Sequence, residues 1–191
     1  FPARRSSDLP AADSPAGQLL TRVRCLREWL PEPGLPVFGE ADLRELLESL
    51  CTSCRSLEEL KRADWSGAMR GRLTYEQISL VEREAPEKIE TPAGSRIALL
   101  YEQGRPPILA VRIQELFGLN DTPRIAGGRI RVLLHLLAPN FRPQQVTDDL
   151  AGFWSRTYPT VRKELRGRYP KHAWPEDPLQ APPQRGAKRK G

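Results

Sequence analysis

The sequence predicts an α+β protein. A helical bundle segment comes first, then a small β-barrel or curled sheet, then C-terminal basic helices and a disordered tail. Three observations carry this prediction. Up to residue 85, apolar residues recur at helical spacing. From Pro86 onward they fall into short strand-like runs separated by turn residues. Residues 140–191 hold 11 Lys/Arg against 5 Asp/Glu, so the entire net charge of +6 lies at that end. A basic end on a neutral body points to a polyanionic partner.

The opening run FPARRSSDL at 1–9 lacks an initiator Met, and its RRSSDL resembles a translated sequencing adapter. Residues 1–16 are expected to be disordered and partly non-native, and the chain to be a fragment missing its upstream part. A helix is predicted at 18–30, where Leu19, Val23, Leu26 and Leu30 share a face. Residues 31–36 are proline-rich and form a loop. A second helix spans 40–54, with Leu43, Leu46, Leu47, Leu50 and Cys51 as its stripe. Ser56 with Glu59 has capping-box spacing and starts a short third helix. Another turn or two follows at 64–72, with Trp65, Met69 and Leu73 inward. Thr74 with Gln77 repeats the capping pattern and opens a helix that Pro86 stops. Residues 17–85 therefore form the helical segment.

Strands are expected at 88–91, 96–101 and 108–113. Pro92-Ala93-Gly94-Ser95 and Gln103-Gly104-Arg105-Pro106 supply the turns between them. One or two helical turns at 114–119 lead to further strands at 130–137 and 144–147. Three strands, a short helix and two strands match the order of an OB-like barrel, a scaffold often used on oligonucleotides. The same order fits other small α+β domains. This β domain is assigned 86–148.

Helix returns in the extension at 149–178, where Trp154, Tyr158, Val161 and Leu165 make an apolar stripe. Pro159 splits the helix and sits in the first turn of its second half. Residues 179–191 are expected to be a disordered basic tail ending in Arg185, Lys188, Arg189 and Lys190.

Several chemistries find no support. The chain contains no G-x-x-x-x-G-K-[ST] phosphate loop, and Ala126-Gly127-Gly128-Arg129 reads as a turn before a strand. Cys51 and Cys54 have C-x-x-C spacing but no second ligand pair, so a helix end with one buried and one exposed thiol is expected. His135 reads as a structural histidine within a strand. Glu58/Glu59 and Asp148/Asp149 read as helix-start or solvated-face charges. No run of about 18 apolar residues exists, so no membrane-spanning segment is expected.

The extension does carry chemistry. Large aromatics interleave with cations, as suits a single-stranded nucleic acid whose phosphates meet the cations and whose bases meet the rings. The candidate contacts are Arg156, Arg162, Lys163, Arg166, Arg168, Tyr169, Lys171 and His172, joined by Arg96 and Arg129 of the β domain. Arg162, Arg166 and Tyr169 share one face at i, i+4, i+7. Trp154 and Tyr158 belong to the core stripe, and Trp174 to an anchor for the tail.

The runs AVRIQELFGL at 110–119, TPRI at 122–125, LLHLLAP at 133–139, Arg142-Pro143, VTDDL at 146–150, Phe153-Trp154 and RKELRGRYPKHAWPEDP at 162–178 are in a recognisable order. With TPAGSRI at 91–97, they resemble the C-terminal region of bacterial HrpB-type DEAH-box ATP-dependent helicases. The resemblance runs over about 18–178. It implies that this chain follows two RecA-like motor domains, in a bacterial cytoplasmic protein. It also implies that ATP and Mg belong to that motor, with no cofactor in the present residues. The implied partners are single-stranded RNA and the RecA-like motor domains. A docking scaffold without RNA contact, or a stand-alone nucleic-acid-binding protein, are the other readings.

Overall fold

The computed structural model describes residues 10–186. The chain divides into two units. One runs to Ala85 and includes Tyr101–Arg105; the other holds Pro86–Leu100 and the chain from Pro106 on. Of the stretch 1–16 expected to be disordered, residues 1–9 lie outside the described residues, as do the cations Lys188, Arg189 and Lys190, whereas Ser14, Pro15 and Ala16 belong to the start of a helix.

The first unit is helical: α1 (Pro15–Trp29), α2 (Glu40–Cys51), α3 (Leu57–Arg62), α4 (Trp65–Arg70) and α5 (Tyr75–Glu84). The first helix begins three residues earlier than its apolar period suggests. The Ser14 hydroxyl accepts the Gly17 N–H at 3.1 Å, and Pro15 supplies a pre-set first turn. Asp64 and Thr74 cap α4 and α5 in the same way. Only part of the Ser56–Glu59 pattern forms a box. Ser56 accepts the Glu59 N–H, but the Glu59 carboxylate takes the N–H of Arg55 instead of Ser56. In α2 the helix stops at Cys51, and only Leu46 of the expected stripe is fully buried.

The core of this unit contains a charge. Arg22 is 5 % exposed. Its Nε donates to Ala85 O at 2.6 Å and its Nη2 to Val81 O at 3.4 Å. A cation thereby meets the carbonyl end of α5, where the chain's own amides run out and the helix dipole is negative.

The second unit is built on a five-stranded sheet in the order β1 (Lys88–Glu90), β2 (Arg96–Leu100), β3 (Ile108–Arg112), β6 (Leu133–Leu137), β7 (Pro143–Thr147). A two-stranded ladder joins β4 (Arg124–Ile125) to β5 (Ile130–Arg131). The β1–β2 turn closes by hydrogen bonds between Thr91, Gly94 and Ser95, with Gly94 at φ +77. Neighbouring strands are antiparallel except β3 and β6, which run parallel from Ile108↔Leu133 to Arg112↔Leu137. The connection through the 3₁₀ turn at Ile113–Leu116 and the β4–β5 ladder returns the chain beside β3 in the same sense. Among the described residues no ladder joins β1 to β7, so the strands form an open sheet and no closed barrel. The expected strand at 130–137 is two strands: the Val132 N–H still reaches back to Pro123 O beside the first ladder, and at Leu133 the chain changes partner, donating to Pro107 O and pairing with β3.

One face of the sheet is buried. Leu99, Leu109, Val111, Leu134 and Leu136 are at most 2 % exposed. The alternate residues Leu100, Ile108, Ala110, Arg112, Leu133, His135 and Leu137 are exposed or half-exposed, as a period of two requires.

The helical extension comprises α6 (Leu150–Gly152), a π-turn at Phe153–Thr157 and α7 (Tyr158–Arg168). Pro159 lies in the first turn of α7 as expected. Pro159 has no N–H for the carbonyl four residues back, and the Tyr158 N–H reaches Phe153 O in the wider π spacing. Trp154 and Tyr158 are buried in an aromatic cluster with Phe117 and Phe153 at centroid distances of 5.0–6.2 Å. Their polar ends are satisfied by Leu119 O and Pro175 O. Burial raises the Tyr158 phenol above its ordinary pKa.

The stretch 179–186, expected to be disordered, is hydrogen-bonded to the sheet unit. Gln184 N–H donates to Gln114 O at 2.9 Å and Arg185 Nε to Ala93 O at 2.7 Å, while Pro178 O accepts the Gly118 N–H. Composition suggested disorder, but prolines can lie extended along a surface and leave their few donors and acceptors to be paired there.

Candidate nucleic-acid interface

The extension folds back along α7 after Tyr169. Trp174 is 7 % exposed and donates from Nε1 to Tyr169 O at 2.9 Å. Arg162 donates from Nε to Trp174 O at 2.9 Å and from Nη2 to Glu176 Oε1 at 3.1 Å. Trp174 therefore anchors the tail, and Arg162 holds it. Arg162 does not share an open face with Arg166.

The other sequence-derived candidates divide by environment. Arg156 is exposed and pairs with Asp149 Oδ2 at 2.8 Å. The Gly152 N–H, and then Arg156, hold the Asp149 carboxyl below the usual carboxylate range. Lys163, Arg166, Arg168 and Lys171 are exposed and form no ion pair or side-chain hydrogen bond among the described residues. Lys163 and Arg166 are three apart on the solvent face of α7, opposite the buried Leu165, and Arg168 lies on its flank. Tyr169 and His172 are half-exposed, their rings edge to face at 6.3 Å. Burial, and then the charge of Arg112, lower the His172 pKa below its ordinary value.

Arg96 and Arg129 lie on other elements. Arg96 is exposed on β2, in register with Glu90. Arg129 is exposed in the turn between β4 and β5.

Two features escaped the sequence. Arg124 and Arg131 face each other across the β4–β5 ladder. They line an open cleft of about 460 Å³ together with Asp121, Thr122, Asp148 and Asp149. Like charges directly opposite on a ladder are unfavourable alone, and the aspartates offset them. Second, Arg112 ends β3 with its guanidinium 5.1 Å from the centroid of the Phe141 ring. Glu115 Oε1 accepts from its Nε at 2.8 Å, and Arg185 O accepts from its Nη2. The signal for Arg112 was available: it is the charged member of an otherwise apolar alternating strand.

Other expected sites have these surroundings. Cys51 is exposed and Cys54 half-buried, so the C-x-x-C pair has no buried thiol. The buried thiol is Cys25, whose pKa burial pushes up to about 11. His135 is half-exposed on the outer face of β6. Among the described residues no group of three His, Cys, Asp or Glu could hold a metal ion. Ala126-Gly127-Gly128-Arg129 is a tight turn between two-residue strands, without the helix whose N-terminus a phosphate loop needs.

The family model described as ATP-dependent helicase C-terminal, HrpB_C, matches residues 46–178. The chain is 43 % identical over 178 residues to the ATP-dependent RNA helicase HrpB of Escherichia coli K12, covering 91 % of this chain and 22 % of that protein. It is also similar to two solved structures of E. coli HrpB. One, titled a DExH-box NTPase, has a TM-score of 0.82 at 43 % identity, over 88 % of this chain and 21 % of that one. The other, titled a DEAH/RHA helicase, has a TM-score of 0.69 at 41 % identity, over 84 % and 21 %. The chain spans about a fifth of the length of these relatives. Its ordered sequence blocks, its mixed helical and sheet architecture and these matches agree, and the chain belongs to the HrpB C-terminal family of ATP-dependent helicases.

Proposed function

We propose that this region serves an ATP-dependent RNA helicase as an accessory module that grips single-stranded RNA beside the motor. The observation that carries this reading is the set Lys163, Arg166, Arg168 and Lys171. All four are exposed without acidic partners; Lys163, Arg166 and Arg168 lie on α7, whose opposite face is locked into an aromatic core, and Lys171 follows in the turn after it. Cations free of internal ion pairs exchange counterions for phosphates, and that exchange drives non-specific RNA binding. A rigid backing keeps them in place without an ordering cost at binding. The β1–β2–β3 meander carries the OB-like part of the reading, and Arg96 and Arg129 extend the basic surface.

The proposed site of action is the bacterial cytoplasm. Among the described residues no helix is long and apolar enough to cross a membrane. Nucleotide hydrolysis, with its ATP and Mg, is assigned to the RecA-like motor of the parent protein. That motor is the proposed intramolecular partner. Fluorescence anisotropy of a labelled single-stranded RNA across a salt series tests the RNA role. Affinity should fall steeply with salt, and a flat dependence would count against it.

A second reading has its own support. Leu100 and Val146 are 55 % and 50 % exposed on the open sheet, and an apolar sheet face suits packing against another domain. On that reading the region is an intramolecular or protein-docking scaffold, and RNA binding by the isolated chain is absent.

A further inference from the structure

The β6–β7 connection holds an unusual residue. Pro139, Asn140 and Phe141 link Ala138 to Arg142. The Ala138 N–H donates to Arg142 O at 2.9 Å, and the Phe141 N–H to Ala138 O at 2.9 Å. Three-residue hairpin loops of this kind place their last residue in the left-handed region, a position that suits glycine. Phe141 occupies it at φ +64. A bulky residue there is strained, and such strain gathers at functional sites. The ring gains little from burial, since Phe141 is 64 % exposed. Neither backbone preference nor the hydrophobic effect accounts for a phenylalanine at this point.

The surroundings suggest what the ring is for. Arg112 covers one face, and Arg112 is itself fixed by Glu115, whose side chain is 5 % exposed. The high exposure leaves the other face to solvent. Arg142 is the next residue and is exposed. His172, at the end of the basic extension, feels the charge of Arg112. The ring thus rests on Arg112 and is followed in the chain by the exposed Arg142, a cation that can meet a phosphate.

We infer that Phe141, backed by Arg112, is a stacking platform for one base of a single-stranded RNA. This rests on the RNA reading above and adds to it a base contact that carries no charge. Any base offers a face, so the platform confers grip without sequence preference. Arg112 acts through the ring, as a positioning residue.

The test uses the full chain and a 12-nucleotide oligouridylate with one central 2-aminopurine. Phe141→Gly is the informative variant, because glycine relieves the left-handed strain and should leave the melting temperature unchanged or higher. Its affinity should nonetheless drop by about 5-fold or more, the low end for one lost stacking contact. Its slope of log K against log salt should match the parent's, since no phosphate contact is lost. The 2-aminopurine quenching seen with the parent should weaken with Phe141→Gly and persist with Phe141→Trp. If the parent binds and Phe141→Gly binds equally well, the platform is wrong while the cation reading stands. If the parent binds no RNA at low salt, both are wrong.

Discussion

Arg162 donates from Nε to the carbonyl oxygen of Trp174 at 2.9 Å, and the same guanidinium holds Glu176 at 3.1 Å. This contact divides the cations of α7 by role. Arg162 fastens the fold-back segment to the helix, while Lys163, Arg166 and Arg168 remain available to solvent.

Arg162→Ala should therefore act on stability. It leaves the Trp174 carbonyl without its charged donor, a loss of about 1–3 kcal/mol. Arg166→Ala, on the open face, should stay within about 0.5 kcal/mol of the parent. Thermal unfolding followed by circular dichroism compares them. Equal melting temperatures for the two variants would contradict the division.

Arg22→Met should destabilise the helical unit. Methionine keeps much of the buried aliphatic packing but removes the donors to Ala85 O and Val81 O. Unpaired buried carbonyls make this a loss of about 1–3 kcal/mol. The urea midpoint should fall with little change in slope. An unchanged midpoint would mean that water satisfies the end of α5.

Much of this organisation was legible in the sequence. The capping residues Thr74 and Gln77, the turn at Gly94, the strands around Leu109 and Leu134, and the position of Pro159 all follow from local chemistry, and the structure has them. What local reading missed are long-range relationships. The spacing of Arg162 and Arg166 hides the return of Trp174 against the helix. The apolar stripe of α1 hides Arg22, whose partners lie about sixty residues away. Strand order alone left barrel and open sheet undivided, because closure depends on which edges pair. The exposed ring of Phe141 could not be told from a core aromatic, since its φ is a property of the folded turn.

The pH dependence of the α6 cap has a definite sign. The folded Asp149 carboxyl titrates below its ordinary value, through the Gly152 N–H first and Arg156 second. Its contribution is fully present above the unfolded pKa, near 4, and is lost as pH falls through the lower folded value. Asp149→Asn keeps a capping oxygen but removes the charge. The stability gap between parent and variant should be open at pH 7 and narrow on acidification below about pH 4. A gap that widens in acid would contradict the assignment.

The most direct test of RNA contact through α7 is the salt dependence of binding in a charge-reversed helix. Lys188, Arg189 and Lys190 are replaced by alanine in every sample, because such a cluster binds any polyanion. In that background Lys163, Arg166 and Arg168 are changed together to Glu, which is as good a helix former. Each single-strand phosphate contact contributes about −0.7 to the slope of log K against log salt. If all three cations meet phosphates, the slope should become shallower by roughly two units with helical content unchanged. An identical slope and affinity in the two proteins would show that α7 does not touch RNA, and the docking-scaffold reading would replace it.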